Sequence, residues 1–521
     1  MVLYVNRKEN LMVIMKMLKH KKIFILNLYI IFYFTLIPIG FAKSQMKIGL
    51  SADVVMLDPQ LAQSGPDWTP QSLIWNRLVE YDNTMMDPIP SIAKSWEVSK
   101  DGKVWSFKIR KGITFHSGRE LTSSDIVFSF KRGFEIGPKG RFAGYMVSVD
   151  SYKALSTYEF QVTLKHVDVT FLGNLAVPAA AIVDKDTIDK IRTEPIGSGP
   201  YEFVEWSPGE KTVYRKFNNY WDKKMLSKIP DEIVVIPILE DQTRLANLQS
   251  GNVDIIDGVE AVFWAQIQND PNTTLWGQEL TASYKAVIFN FEKPPFKGNK
   301  LLRQAIAHAI NKEAIHQTVF FGTGEVGCNL IPKSHWAYTE IACYDYNPEK
   351  AKELLKRSGY DTSRPIYFPT SSRPAYMRTA EVVQANLKDI GLKTDIEPQE
   401  WGYYVQETWI SRKFEMQVAW YTREIDPDGL FSSVLRKEQG NNPMRYYNPA
   451  IETLFDGGKS VYDREIRKKH YEAIMNTAIL DEMPIIKIQT IERKWASNKK
   501  IKDFNILPKG LPNYYNFKWG G

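Results

Sequence analysis

Hydrophobic and polar positions alternate with a period of two in an early stretch of the chain. Trp105, Phe107 and Ile109 are apolar, and Ser106 and Lys108 lie between them. Alternation of this kind is typical of a β-strand that buries one face. The stretch KVWSFKI is therefore predicted to form a strand.

Helix start and stop signals occur at two later places. Thr122 precedes Asp125 by three residues just before the apolar run IVFSF, which is a capping-box variant that starts a helix. The run YNPEKAKELLKRSGY carries Asn347 at the N-cap, Pro348 at the first helical position and Gly359 at the stop. Both runs are predicted to be helical.

The run LLRQAIAHAINKEAI is predicted to form one further helix. Its apolar residues recur at helical spacing on one face, namely Leu302, Ala305, Ile306, Ala309 and Ile310. His308 lies in the same run, and we expect its ring to bond a neighbouring carbonyl group rather than a ligand. Strands and helices are mixed along the chain, so the predicted class is α/β or α+β.

The first 42 residues differ from the rest of the chain. A basic segment precedes the uncharged stretch 23–42, which ends with Gly40 and Ala42 at positions −3 and −1 of a small-residue break. This pattern predicts a secretory signal peptide that is cleaved after Ala42. The alternative is an uncleaved anchor, since about twenty apolar residues can span a bilayer. An anchored chain would be a membrane-bound sensor.

The positive net charge belongs mostly to this targeting segment. Residues 1–42 hold six of the 67 basic residues and one of the 60 acidic ones, which leaves 61 against 59 in the remainder. A nucleic-acid-binding protein would show a clustered basic face, so no nucleic-acid partner is predicted. No later segment is apolar enough to cross a membrane, so a soluble exported protein is expected.

Length and cysteine content add two predictions. The remaining 479 residues exceed the roughly 250 to 300 at which a single core stops growing, so at least two lobes are expected. Cys328 and Cys343 are the only cysteines, and in an exported protein we expect a disulfide between them. The seven histidines are scattered without metal-ligand spacing, so no metal site and no cofactor are predicted.

Several motifs occur together in one order. EPIGSGPYEFVEWSPGEKTVYRKFNNYW contains Gly-Ser-Gly-Pro-Tyr, in which Ser198 takes the place of a threonine, and DGKVWSFKIRKGITFHSGRELTSSDIVFSFKR precedes it. DEIVVIPILEDQTRLANLQSGNVDI and the two helical runs follow. These five stretches resemble the signature segments of the peptide-type (family 5) extracytoplasmic solute-binding proteins of ABC importers. The resemblance covers nearly all of the chain after the signal segment.

The resemblance implies an α/β, two-lobed periplasmic binding protein fold of type II, similar to cluster C, with an extra subdomain. The first lobe would comprise residues 43–288 and 490–521, with the inserted subdomain at about 88–195, and the second lobe would be 289–489. The implied function is capture of a peptide or peptide-like solute in the periplasm and its delivery to ABC permease subunits of the inner membrane. A monomer without enzymatic activity is expected.

The stretch AWYTREIDPDGLF carries the strongest ligand-binding prediction. Relatives that bind peptides use a Trp-x-x-Asp element, whose aspartate pairs with the ligand's amino group, and a second tryptophan nineteen residues upstream. Trp420 and Trp401 match the two tryptophans, but Arg423 stands where the aspartate is expected. Asp426 is the alternative partner for an amine. The resemblance therefore predicts a ligand that differs from an ordinary peptide.

A second arginine points to the charge of that ligand. Arg373 lies in a Ser-Arg-Pro segment that resembles the carboxylate-binding arginine of dipeptide-binding relatives. If Arg373 and Arg423 both face the cleft, the ligand should carry an additional anionic group, because buried guanidinium groups need counter-charge. The alternative is that Arg423 pairs with Glu424 or Asp426 and points away. Tyr421 is expected to supply an apolar wall with the tryptophans. The opposite wall is predicted to include Ser64, Gly65 and Trp68.

Other interpretations of the same stretch remain. Asp426-Pro427-Asp428-Gly429 fits a type I turn, which would make Asp428 structural. The two carboxylates could instead serve an exported metal-dependent hydrolase or transferase. The sequence contains no Gly-rich phosphate loop, nucleophile elbow or His-Glu-x-x-His to accompany them, so an enzyme is not predicted. A haem-binding member of the same family is the further alternative.

Overall fold

The structure is a computed structural model that describes residues 44–62, 65–84, 87–277, 281–422, 425–436, 442–508, 510–512 and 518–519. Gln45–Gly521 form one compact unit, and the description below concerns that unit. Within the described ranges, no helix combines the length and the apolar character needed to cross a membrane.

The first sheet joins the two ends of the described chain. In the described part it has seven strands, in the order Thr273–Trp276, Trp495–Asn498, Ile255–Ile256, Gln45–Leu50, Glu232–Pro237, Lys211–Lys216 and Tyr201–Ser207. Gln45–Leu50 pairs in parallel with both of its neighbours. The late strand Trp495–Asn498 therefore returns the chain to the sheet in which it began.

A smaller antiparallel sheet is inserted between strands of the first sheet. Its described strands are, in spatial order, Ala93–Val98, Val104–Ile109, Glu159–Leu164 and Val149–Ser156. Trp105, Phe107 and Ile109 are buried in its core, so the predicted strand is confirmed. The helix Ser123–Ile136 begins with the predicted capping box of Thr122 and packs on this sheet.

The second large sheet contains the middle and late parts of the chain. Its described strands are, in order, Glu325–Val326, Ile485–Thr490, Ser283–Phe289 and Met416–Thr422. A separate parallel pair, Ile366–Ser371 and Thr394–Gln399, accompanies it. The chain enters this sheet at Ser283, six residues earlier than the lobe boundary predicted from the sequence. The described short pairs are Val79–Tyr81 with Pro88–Pro90, and Ile501–Lys502 with Lys518–Trp519.

Helices pack against these sheets. The described α-helices are Gly65–Ile74, Ser123–Ile136, Phe142–Tyr145, Phe171–Asn174, Lys223–Leu226, Asp241–Gln249, Trp264–Asn269, Lys300–Ala309, Lys312–Val319, Pro348–Arg357, Pro374–Asp389, Trp401–Tyr403, Pro427–Leu435, Pro449–Lys459 and Arg464–Met475. The described 3-10 turns are Gly137–Lys139, Pro178–Ala180, Ile188–Lys190 and Ala261–Phe263, and the described π-helical segments are Tyr404–Ile410 and Asn476–Glu482.

Two helix predictions need correction. The run predicted as one helix is two, because Ile310 is extended and the Asn311 side chain caps a new helix by accepting a hydrogen bond from the Ala314 backbone N–H. Asp426 and Pro427 begin a helix rather than close an isolated turn, since Asp426 caps it and Pro427 is its first residue.

Two other local predictions agree with the structure. Asn347 accepts a hydrogen bond from the Lys350 backbone N–H at the start of the helix Pro348–Arg357, and Gly359 has a positive φ of 66° just after its end. The His308 ring donates to the backbone oxygen of Asp345 at 3.0 Å.

Cys328 and Cys343 lie close together near the second large sheet. The Sγ atoms of Cys328 and Cys343 are bonded, with a sequence separation of 15 residues. The bridge closes the loop that follows the short strand Glu325–Val326.

Candidate ligand-binding site

A cavity of about 680 Å³ lies between the first sheet and the second large sheet. On one side it is lined by Ser51 and Gly258, which follow the carboxyl ends of two parallel strands of the first sheet. On the other side Trp420, Thr422 and Gln489 reach it from strands of the second large sheet. Ligands of α/β proteins commonly bind outside the carboxyl ends of parallel strands, so the position suits a binding cleft.

Aromatic rings form one wall of the cavity. Trp401 and Trp420 both line it, and each packs against Tyr376, with ring centroids 6.1 Å and 6.2 Å apart. Trp401 is held by a short helix whose N-cap, Glu400, accepts hydrogen bonds from the backbone N–H groups of the next turn. The sequence predicted the two tryptophans, but it did not single out Tyr376, three residues after Arg373.

Arg373 lies at the start of the helix Pro374–Asp389 and lines the cavity. Its guanidinium carbon is 3.8 Å from the centroid of the Trp401 ring, a cation–π contact. Burial lowers the pKa of Arg373, and the positive charge of Arg493 lowers it further. Arg373 therefore lies in the cavity wall. The resemblance predicted it as the arginine that binds a carboxylate of the ligand.

Arg493 is a second cavity arginine that the sequence did not reveal. It follows the strand Ile485–Thr490, and its Nη1 atom lies 3.5 Å from the hydroxyl oxygen of Thr422. The two terminal guanidinium nitrogens of Arg493 lie close to Gly65. Each is 3.8 Å from the position that a Cβ atom on Gly65 would occupy. Burial lowers the pKa of Arg493, although the charge of Asp257 opposes the change. In the sequence, Arg493 was marked only by its place in TIERKWAS, the segment that leads from the second large sheet back to the first.

The charges that line the cavity are unevenly compensated. The described lining residues include seven basic side chains, Lys139, Arg141, Arg373, Arg412, Arg445, Arg493 and Lys494, but three acidic ones, Asp241, Glu260 and Glu492. Each acidic side chain already pairs with a basic one: Asp241 with Arg244, Glu260 with Arg378, and Glu492 with Lys494.

Arg373 and Arg493 differ from those pairs. In the ranges that the structure describes, no carboxylate lies within 4.0 Å of either guanidinium group. The charge of Asp257 raises the pKa of both arginines, but its carboxylate already accepts hydrogen bonds from the backbone N–H and hydroxyl groups of Ser51. A cavity with two such arginines favours an anionic group on its ligand, because a guanidinium can hold a carboxylate or phosphate with two parallel hydrogen bonds.

Two predicted ligand residues lie away from the cavity. Tyr421 points to the opposite face of its strand from Trp420, since successive strand residues alternate, and its ring packs on Tyr284 and Trp409 at 5.2 Å and 5.4 Å. Asp426 caps its helix, and both of its oxygens lie 2.8 Å from Nη2 of Arg467. The carboxylate suggested as an amine anchor is thus engaged by an arginine.

The neighbouring aspartate is engaged as well. Asp428 is buried, and its Oδ2 atom lies 3.6 Å from Nζ of Lys459, which is also 3.6 Å from Asp168. Within the described residues, no group of three histidine, cysteine or acidic side chains could hold a metal ion. The two carboxylates of the hydrolase alternative, Asp426 and Asp428, are therefore placed in separate ion pairs outside the cavity lining.

The remaining predicted residues divide in two groups. Gly65 and Trp68 line the cavity, and the guanidinium carbon of Arg141 lies 4.9 Å from the Trp68 ring centroid. Ser64 and Arg423 lie outside the described residues. Two of the three residues predicted for the opposite wall therefore line the cavity.

A comparison with protein families gives one match that spans most of the chain. Residues 87–442 match the model described as bacterial extracellular solute-binding proteins, family 5. The matched range contains the inserted sheet, most of the second large sheet and both tryptophans of the cavity wall.

Individual proteins are similar over nearly their full length. The chain is 31% identical to Heme-binding protein A of Haemophilus influenzae over 89% of this chain and 90% of that protein. It is 28% identical to the Dipeptide-binding protein of Escherichia coli, over 88% and 91%. The solved structure of the PBP AgaA from A. tumefaciens R10 in complex with agropinic acid has a TM-score of 0.83 and 28% identity, covering 91% of this chain and 98% of that one.

Proposed function

The chain belongs to family 5 of the bacterial extracellular solute-binding proteins, and we propose that its cavity captures a peptide-like solute that carries an acidic group. Members of this family are binding components of ABC importers and not enzymes. The fold is that of the two-lobed periplasmic binding proteins. The protein is therefore the substrate-binding component of such an importer.

The observation that carries the ligand class is the pair formed by Arg373 and Arg493. Both line the cavity, and among the described residues neither has a carboxylate within ion-pair distance. Both arginines are half-buried, so a guanidinium without counter-charge carries a desolvation cost that an acidic ligand offsets on binding. The stacking of Arg373 on Trp401 restricts its side chain before the ligand arrives, which lowers the entropy cost of capture.

The aromatic wall fits the rest of such a ligand. Trp401, Trp420 and Tyr376 offer flat apolar surface next to Arg373, so an acidic group and an uncharged body can be held at the same time. The residue three after Trp420 is Arg423 rather than an aspartate. A ligand whose amino group is blocked or substituted, as in an opine, would not need that aspartate.

Capture is proposed to follow closure of the two lobes around the solute. We assign residues 283–490 to the second lobe by sheet membership, and the first lobe to the flanking segments with the inserted sheet. An ion pair of 3.3 Å between Arg378 and Glu260 joins the two lobes beside the cavity. A ligand that contacts both Arg373 and Arg493 bridges the lobes and favours the closed state.

Family 5 proteins with this role are periplasmic. Export is proposed to use residues 1–42 as a signal peptide that is cleaved after Ala42, and the released protein is proposed to act as a monomer. It would deliver its solute to the permease subunits of an ABC importer in the inner membrane.

A thermal-shift panel on the purified protein tests the ligand class. It compares neutral dipeptides, acidic peptides including glutathione, opines, sugar phosphates and haem. A ligand at a hundred times its Kd adds about 2.7 kcal/mol of apparent stability, which raises the unfolding midpoint measurably. The acidic peptide-like compounds are expected to raise the midpoint more than the neutral dipeptides, which carry only their terminal carboxylate.

Other outcomes of the panel distinguish the alternatives. An equal shift with neutral dipeptides would remove the two arginines as selectivity determinants. A shift with haem alone would favour the second candidate, which rests on the relative named Heme-binding protein A and on the aromatic wall. The described lining residues include no histidine, cysteine or methionine, but Tyr376 and Tyr404 are present as possible ligands of a haem iron, and the acidic solute is preferred because of the two arginines.

A further inference from the structure

Lys285 lies in the middle of the strand Ser283–Phe289, whose seven residues are all buried. It pairs with Trp420 on one neighbouring strand and with Gln489 on the other. Directly opposed residues of an antiparallel pair project to the same face of a sheet. Trp420 and Gln489 line the cavity, so Lys285 projects toward the cavity between them.

The ammonium group of Lys285 ends beneath the aromatic wall. Its Nζ atom lies 3.5 Å from the ring centroid of Tyr376 and 4.6 Å from that of Trp420. In the described part of the chain, Nζ has neither a hydrogen-bond partner nor a carboxylate within ion-pair distance. Both rings line the cavity, whereas Lys285 is not among the lining residues.

This placement is unfavourable for an empty protein. Two aromatic faces compensate a buried ammonium group only in part, and a methionine would fill the same space without the penalty. Burial holds the pKa of Lys285 well below its usual value, and the charge of Arg373 lowers it further while Glu260 opposes the change. Residues that break a local rule in this way are expected at functional positions.

Another buried lysine of the same sheet shows the contrast. Lys487 lies on the neighbouring strand, and its Nζ atom donates to the backbone oxygen of Asn329 at 2.6 Å. It does not line the cavity. Lys487 thus has a hydrogen-bond acceptor within the protein, whereas the groups around Lys285 supply none in the described structure.

We propose that Lys285 is a third anion-binding residue of the cavity, after Arg373 and Arg493, and that it pairs with an acidic group of the ligand when the rings of Tyr376 and Trp420 turn aside. Arg373 and Arg493 then hold the other acidic group. The ligand class is accordingly a peptide-like solute with two carboxylates or equivalent acids. This inference rests on the proposed function and narrows it from one acidic group to two.

A matched pair of dipeptides tests the proposal. Ala-Glu and Ala-Gln have nearly the same shape and differ by one carboxylate, and calorimetric titration gives the Kd of each. The wild-type protein is expected to bind Ala-Glu about tenfold more tightly or better. Lys285→Met should reduce that preference to about twofold or less by weakening Ala-Glu alone, and Lys285→Arg should retain a preference because it keeps the charge. Lys487→Met is the control, with the preference unchanged.

The outcomes separate this inference from the proposed function. If Lys285→Met keeps the full preference for Ala-Glu, or weakens both peptides by the same factor, Lys285 supports the wall and binds no ligand group. Equal binding of both peptides by the wild type overturns the inference as well. If the wild type binds neither peptide, the peptide-like ligand class itself fails. If Arg373→Met weakens both peptides while Lys285→Met keeps the preference for Ala-Glu, the proposed function stands and this inference fails.

Discussion

The guanidinium carbon of Arg373 lies 3.8 Å from the centroid of the Trp401 ring, at the wall of the cavity between the two lobes. The indole face restricts the arginine, and the ring itself is packed against Tyr376 and Tyr404. Arg373, which is proposed to hold the acidic group, is therefore oriented by Trp401, which also forms part of the cavity wall.

Replacing Trp401 tests that orientation. Trp401→Ala removes the ring on which Arg373 stacks, so the arginine must be ordered by the ligand, and we expect acidic peptides to bind about tenfold more weakly. Trp401→Phe, which keeps an aromatic face, should lose less. Calorimetric titration with Ala-Glu measures both variants. Equal affinity of Trp401→Ala and the wild type would show that the stacking has no role in binding.

Lys285 should reduce the stability of the protein without ligand. Lys285→Met replaces a buried amino group that has no hydrogen-bond partner among the described residues with an apolar chain, so the free energy of unfolding is expected to rise by about 1 kcal/mol or more. Chemical denaturation without ligand measures the change. The comparison is Lys487→Met, which removes a hydrogen bond to Asn329 and should gain less. A fall in the stability of Lys285→Met would identify the lysine as a structural support of the two rings.

The stability should depend on pH through His116. Burial lowers the pKa of His116 to about 4. Its ring bonds both glycines of the Gly-Ser-Gly-Pro-Tyr motif. Nδ1 accepts a hydrogen bond from the Gly197 N–H, and Nε2 donates one to the backbone oxygen of Gly199. Between pH 6.5 and 4 the unfolded chain binds the proton more readily, so stability is lost as pH falls through this window.

The loss attributable to this ring should be on the order of 2 kcal/mol between pH 6.5 and pH 4. Denaturation of wild type and His116→Gln at several pH values measures it, with the exposed His166→Gln as a control. The glutamine variant should show a shallower loss of stability on acidification. An identical pH dependence in wild type and His116→Gln would exclude this histidine as the source.

A buried ion cluster lies outside the cavity lining. Nζ of Lys459 lies 3.6 Å from both Asp168, which follows the strand Glu159–Leu164, and Asp428, in the helix Pro427–Leu435. Burial lowers the pKa of Lys459, but the charges of the two aspartates raise it above its usual value. The lysine is therefore charged, and it compensates two buried carboxylates.

Removing that charge should be strongly destabilising. Lys459→Met leaves Asp168 and Asp428 buried without a counter-ion, and we expect a loss of about 3 to 5 kcal/mol in the free energy of unfolding. Lys352→Met, which breaks an exposed pair with Glu349, should change it by less than about 1 kcal/mol. Urea denaturation compares the two. Similar small effects from both variants would mean that the buried cluster does not contribute to stability.

Local signals predicted much of the fold. The alternation of Trp105, Phe107 and Ile109 and the cap at Asn347 each depend on neighbours in sequence, and the structure agrees with them. The helix break at Asn311 was missed because the apolar spacing continues across it, while the asparagine side chain caps a second helix. The spacing of apolar residues does not show where one helix ends and the next begins.

The site was predictable only in part, because it is assembled from distant segments. Trp401, Trp420 and Arg373 could be matched to family motifs. Arg493 comes from the crossing between lobes, and its proximity to Arg373 depends on tertiary structure. Lys285 did leave a signal, since a lysine in the apolar strand SYKAVIF is unusual, but its two aromatic neighbours come from elsewhere in the chain.

The proposed role of Arg373 is to hold an acidic group of the captured solute. Calorimetric titration of Ala-Glu into wild type and Arg373→Met measures this role. We expect one saturable site in the wild type and a loss of affinity of about tenfold or more in Arg373→Met. Arg364→Met, which removes an exposed partner of Glu415, should bind as the wild type does. Equal affinity of Arg373→Met and the wild type would show that Arg373 does not hold the ligand.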